Sequence, residues 1–329
     1  MRVAFLFLAA VIIFSLGGCG FGNLVTGYSG DSKEVQRRVL SDQDGKLKVV
    51  TTFFPLYDFA RQVGGERVEV LCLVPPGVSV HDWEPTPRTM AQVLRADVLV
   101  FNGAGLEPWI KQAISDFKGE TVEASRGLAL LRFDPAVEDE ADGEHHHGVY
   151  DPHAWLDPVN AQHYVKEITK GFCRADPAGA GYYREREAAY IERLKALDAA
   201  YREAAAGFKC REIVTSHAAF GYLANRYGLK QIPVAGLSPQ AEPSPAQLRN
   251  LVELVRKHGI DCIFFEEASS PRLAETLARE ARVKTLVLSP VAGMTPGEKA
   301  GKKDYLAVMQ DNLATLTEAF GEGYKPSKP

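Results

Sequence analysis

Neither sign of charge is in surplus here: 38 Lys and Arg stand against 42 Asp and Glu in 329 residues, a formal net charge of -4. That balance gives no electrostatic reason for a polyanion to bind, so no nucleic-acid partner is expected. Long hydrophobic runs are absent beyond the first residues. The run from Val3 to Leu16 is about 14 residues, short of the roughly 20 that a helix needs to cross a bilayer. Cysteine is scarce, 5 in all, and none has the paired spacing of a structural zinc site. Neither His-Glu-x-x-His nor Gly-x-Ser-x-Gly occurs, which removes two recognisable hydrolase signatures. No enzymatic activity is expected.

What is present begins with a leader. Met1-Arg2, the apolar run and the small residues before Cys19 read as a secretory signal over 1–18. Leu16-Gly17-Gly18-Cys19 resembles the bacterial lipobox, which implies lipidation of Cys19. Residues 19–45, rich in Gly, Ser, Asp and charge, are then a flexible tether. The expected location is extracytoplasmic, in a periplasm or on the outer face of the cytoplasmic membrane, with contact to the membrane through acyl chains. Of the remaining cysteines, Cys72 and Cys262 lie in apolar strand-like runs and read as buried thiols. Cys173, near a helix end, and Cys210, entering a strand, are the pair expected to form a disulfide in an oxidising compartment.

From Lys46 onward, strands alternate with helices. Leu47–Phe53, Val68–Leu73, Asp97–Asn102 and Thr121–Ala124 are predicted strands, with helices from Pro55, Pro87 and Pro108 between them. The apolar run from Val98 to Phe101 suggests burial on both faces, as in a parallel sheet. A second set follows: strands Glu212–Ser216, Lys230–Ala235, Cys262–Glu266 and Thr285–Leu288, with helices from Ala219, Pro245, Pro271 and Asp304. Between the sets lie a helix from Pro158 to about Cys173 and a longer one over 176–206, opened by Asp176-Pro177 as cap and first turn. The expected fold is α/β: two similar lobes, each a four-stranded mainly parallel sheet flanked by helices, joined by one long rigid helix. The lobes are expected at 46–175, which includes an acidic, His-rich loop at 138–149, and at 207–329.

The 8 histidines carry the chemistry. His81 follows Pro75-Pro76-Gly77, beyond a strand; His217 follows Thr215-Ser216, beyond another; His153 sits in Asp151-Pro152-His153-Ala154-Trp155-Leu156-Asp157-Pro158, stiffened by two prolines. Loops beyond the carboxyl ends of strands are where ligands gather in open α/β sheets. A cleft between lobes would bring the three together as a metal site of imidazoles, which suits zinc. His145, His146 and His147 read as an accessory collector, while His163 and His258 are structural or exposed.

Together, Pro75–Pro87, Asp151–Pro158, Thr215–Tyr222 and Glu242-Pro243-Ser244-Pro245 resemble the zinc-binding, ZnuA-like branch of the cluster A-I, TroA-like substrate-binding proteins of metal ABC transporters. The resemblance implies two lobes, a rigid connecting helix, a metal in the interlobe cleft, and delivery to a permease and ATPase complex by a monomeric carrier. Residue by residue, His81, His153 and His217 match the three histidine ligands. The fourth position departs, since Ser289 stands where manganese-binding members place a carboxylate. Water, the His145–His147 tract, Glu266 or Glu267 remain as the fourth partner, and Zn(II) is the expected cargo. The competing readings are a manganese or iron homologue, an adhesin-type surface lipoprotein, and a zinc hydrolase with Glu84 as its only spare base.

Overall fold

Two four-stranded sheets with the same strand order position everything else. The first holds β1 (Leu47–Thr51), β2 (Val68–Cys72), β3 (Val98–Phe101) and β4 (Glu120–Glu123) in the order β2-β1-β3-β4, and all its pairings are parallel. The second holds β5 (Glu212–Thr215), β6 (Lys230–Pro233), β7 (Cys262–Phe265) and β8 (Lys284–Val287) as β6-β5-β7-β8, again parallel. In both, the strand order reverses between the first and third strands, which opens a crevice at their carboxyl ends. The computed structural model describes residues 45–132, 149–233, 249, 252–253, 255–257, 260–266, 279–293 and 303–321. The leader, Cys19, His145–His147, Glu267 and most of the helices expected from Pro245 and Pro271 lie outside them.

Local chemistry explains the elements. All four residues of β3 are buried, as a strand covered on both faces requires. β3 starts one residue after the expected Asp97, whose side chain accepts the Lys48 N–H at 2.8 Å at the entry to the sheet. Helix α1 (Phe54–Gly64) has a proline in its first turn and buries Leu56, Phe59, Ala60 and Val63, one face at helical spacing. Short helices α2 (Pro87–Val93) and α3 (Ile110–Asp116) complete the first lobe. In α4 (Pro158–Ala175), Asp157 accepts the Val159 N–H and Pro158 occupies the first turn, an N-terminus with its cap and fixed φ supplied by sequence.

Asp176 then caps a 3₁₀ turn, Pro177–Gly179, and α5 (Ala180–Ala206) runs for 27 residues, about 40 Å at ~1.5 Å per residue. It buries Tyr183, Tyr190, Ile191, Leu194, Leu197, Tyr201 and Ala205 against both halves of the molecule. This length corrects the expected Cys173–Cys210 disulfide. Both are free thiols, Cys173 directed at the Ala180 carbonyl and Cys210 at the Glu212 carbonyl. The two residues flank opposite ends of α5, and the chain enters β5 at the far end without first returning along the helix. A bridge spans only about 6 Å between Cα atoms.

Helix α6 (Gly221–Tyr227) and α7 (Tyr305–Phe320) belong to the second lobe. Gln43–Pro329 is one compact unit, and its most extensive apolar core runs from Phe53 and Phe59 through Leu194 and Tyr201 to Phe264 and Tyr305, with smaller clusters around Leu99 and Ile263. Polar ties cross the same boundary. The Tyr305 N–H donates to Asp58 of α1 at 3.1 Å, and Arg226 of α6 pairs with Asp157 at 2.8 Å. Leu194, fully buried in that shared core, gives a direct check. Leu194→Ala is expected to lower stability by about 2–5 kcal/mol, read as a lower urea midpoint with unchanged slope. A loss below ~1 kcal/mol would place Leu194 outside the core.

Candidate metal centre

Three connections converge at the crevice. His81 lies on the loop after β2, where its N–H donates to the Ser79 hydroxyl at 3.2 Å. Two residues on, Trp83 packs edge-on against Trp109 with ring centroids 5.6 Å apart, which anchors that loop to the turn leading into α3. His217 follows β5; its carbonyl accepts the Thr215 hydroxyl at 2.8 Å and the Gln231 amide at 2.9 Å. His153 arrives on the segment before α4. The Tyr222 hydroxyl donates to the Asp151 carbonyl at 2.8 Å, and the Tyr305 hydroxyl to the Trp155 carbonyl at 2.6 Å. The Trp155 indole N–H donates to the Pro290 carbonyl at 2.8 Å. Side chains from the second lobe therefore hold the loop that carries His153.

The three imidazoles meet. One ring nitrogen from each of His81, His153 and His217 lies within 4.8 Å of the others, and among the described residues no other group of three His, Cys, Asp or Glu does the same. Nε2 of His81 and Nε2 of His153 are 3.1 Å apart, a separation two lone pairs tolerate only with a proton or cation between them. Ring centroids are 5.0, 6.1 and 5.4 Å apart for the 81–153, 81–217 and 153–217 pairs. His153 and His217 are buried, His81 half-buried, so the approach from solvent is over His81.

Carboxylates stand behind two of the rings. Asp151 Oδ1 accepts from both the backbone N–H and Nδ1 of His153, at 2.9 and 2.8 Å. Glu266 Oε1 accepts from Nδ1 of His217 and from the Ser216 hydroxyl. Protonation at Nδ1 is the assignment this network imposes, and it leaves both Nε2 lone pairs aimed inward. Burial holds the His153 imidazole well below the usual histidine range, so it stays neutral. Burial likewise pushes Asp151 up to about 7 against the pull of the His153 N–H. Neutral imidazoles oriented by carboxylates form a donor set for a borderline divalent ion, with room for one more ligand.

The sequence named the three histidines but gave Asp151 no role, although it sits two residues before His153. Glu266, named as a fourth partner, is engaged behind His217 instead of joining the converging nitrogens. The Ser289 hydroxyl accepts the Val291 N–H at 3.2 Å, and Asn312 clasps Ser289 through its N–H and carbonyl, so this residue shapes a turn. His163 bonds the Arg126 carbonyl at 2.8 Å, away from the cluster. His145–His147 and Glu267 fall outside the described residues.

Two parallel sheets of like order, bridged by one long helix around a buried histidine cluster, define a two-lobed substrate-binding protein. Residues 49–319 match the family model ZnuA, zinc-uptake complex component A, periplasmic. The chain belongs to that family. It is 40% identical over 328 residues to the high-affinity zinc uptake system protein ZnuA of Bacillus subtilis, covering 96% of this chain and 97% of that protein. It is also 40% identical over 295 residues to the zinc-binding lipoprotein AdcA of Streptococcus pneumoniae, covering 87% of this chain but only 58% of AdcA, so it spans little more than half of that relative. The Zn(II)-bound ZnuA-like domain of S. pneumoniae AdcA superposes with a TM-score of 0.73 at 39% identity, over 84% of this chain and 99% of that domain. The metal-dependent lipoprotein YcdH of B. subtilis gives 0.72 at 40% identity, over 84% and 99%.

Proposed function

We propose that this protein captures Zn(II) in the interlobe cleft through His81, His153 and His217 and hands it to the permease and ATPase of an ABC importer. The observation that carries the reading is the convergence of three ring nitrogens within 4.8 Å, with Asp151 and Glu266 fixing the tautomers of two. The relatives named for zinc uptake and zinc binding support the choice of ion. Three imidazoles without a carboxylate among the converging atoms favour zinc over manganese, whose harder character calls for more oxygen ligands. An open fourth position suits a carrier that must let its cargo go.

The same reading extends to the ends of the chain. Residues 1–18 direct export, Cys19 carries the lipid, and 19–45 tether a body made of lobes 46–175 and 207–329 on the connecting helix 176–206. The protein works outside the cytoplasm as a monomer and carries out no catalysis of its own; His145–His147 serve as a weak accessory collector. Metal-stripped protein is expected to bind one zinc per chain in titration against a competing chelator, with no turnover across a panel of ester, phosphate and peptide substrates. Turnover, or binding only of manganese, would sink the proposal.

A further inference from the structure

One buried acid stands apart from the histidines and is held by the turn around it. Glu107, 4% exposed, follows β3. Its Oε1 accepts the Thr52 hydroxyl at 2.7 Å and the Asn102 N–H at 2.8 Å, and its Oε2 accepts the Gly103 N–H at 3.1 Å. The turn so pinned is an unfavourable one. Gly103, Ala104 and Gly105 have φ of 82°, 53° and 86°, and the left-handed region is strained for an alanine. Any side chain at Gly103 would meet Glu123 Oε1 at 2.5 Å. What the turn presents is Asn102. Its amide donates to the Pro152 carbonyl at 3.1 Å, while its oxygen accepts the Tyr164 hydroxyl at 2.7 Å. Pro152 immediately precedes His153, so the peptide leading into that imidazole is aimed from the first lobe by Asn102.

We propose that Glu107 is a positioning residue for metal capture, its carboxylate locking the Asn102–Gly105 turn and, through Asn102 and the Pro152 carbonyl, the imidazole of His153. This rests on His153 being a ligand. Two carboxylate oxygens face three donors, so the ionised form satisfies every N–H and O–H that points at it. A proton on either oxygen takes up one of its lone pairs, removes the charge and adds a donor among three donors, which weakens those bonds and loosens the turn. Tyr164 from α4 is the titratable group coupled to it, and Asp151 acts on the same hydroxyl; Glu123 at the end of β4 lies against Gly103, and Thr52, just after β1, is neutral.

Burial lifts Glu107 to about 7, and the sign of its effect differs for folding and for binding. A raised carboxyl favours folding at acidic pH, and that contribution is lost as pH rises through about 7. Metal capture needs the ionised, turn-locking form and so improves over the same interval. A residue with only a structural role would move stability alone.

The test is zinc affinity by chelator competition across a pH unit on each side of about 7, for the wild type, Glu107→Gln and Thr52→Val. Glu107→Gln cannot ionise and sets an amide N–H against the backbone donors. It is expected to bind zinc about 10–100-fold more weakly at the alkaline end and to lose part of the wild type's pH dependence. Thr52→Val removes one donor from Oε1, so its affinity rise should move to higher pH; this variant decides the matter alone if the glutamine protein does not fold. Wild-type affinity and pH profile in both variants would overturn the proposal. His153→Ala separates the two ideas: intact zinc binding in that variant defeats the ligand reading, whereas lost binding there beside an unaltered Glu107→Gln defeats only this one.

Discussion

His153→Ala is expected to weaken zinc binding by about 100-fold or more. Structural zinc sites with four ligands yield about 10–16 kcal/mol, roughly 3 kcal/mol per ligand, and each 1.4 kcal/mol is a factor of ten. Two features push the loss upward. The imidazole is fully buried, so no side chain from solvent can replace it, and its removal strands Asp151, which burial already pushes up to about 7. The fully buried Trp155 keeps its bond to the Pro290 carbonyl in the variant, so the loop should hold its course. Competition against a chelator of known affinity reads the effect, with circular dichroism to check the fold. An affinity within threefold of wild type would remove His153 from the ligand set. His81→Ala is expected to cost less, because the half-buried position admits water in its place.

Zinc is expected to raise the melting temperature on the order of 10 °C while leaving the molecule's dimensions almost unchanged. Free zinc at a thousand times Kd adds about 4 kcal/mol of stability by mass action. For domains of 150–250 residues each kcal/mol shifts Tm by about 2–4 °C. Open-and-shut closure is not part of the expectation, since one core crosses both lobes and α5 braces them. The Tyr305–Asp58 and Arg226–Asp157 bonds tie the lobes without involving the metal. Metal removal should instead loosen the segment around His153. Scanning calorimetry with and without zinc, paired with small-angle scattering, tests both halves. A change in radius of gyration of several ångströms would refute the rigid-helix account. An equal Tm shift in a variant lacking all three histidines would place the stabilising metal elsewhere.

The architecture could be read from the sequence wherever a pattern was local. Fully apolar Val98–Phe101 announces a strand buried on both faces, and Pro158 announces a helix start, because both signals depend only on neighbouring residues. The three histidines were legible for a different reason: each sits in a stiffened or strand-terminal loop, where α/β folds collect ligands. What escaped were partners fixed by three-dimensional approach. Asp151 looked like part of a turn until its Oδ1 was seen on His153 Nδ1. Glu107 reaches Thr52 across 55 positions of sequence, a pairing that no periodicity encodes. The Cys173–Cys210 expectation failed because it assumed a chain that doubles back; the 27-residue helix α5 ends far from where it began, and β5 starts there.

The chain has 3 tryptophans, and their placement gives the protein its own optical gauge. Trp155 lies with its ring centroid 5.1 Å from that of His153, and Trp83 and Trp109 form the pair that anchors the His81 loop. Indole emission responds to the polarity and rigidity of its surroundings. Cargo loading and unloading would therefore be written into the ultraviolet fluorescence of the unlabelled protein, with no reporter residue far from the cleft to dilute the signal.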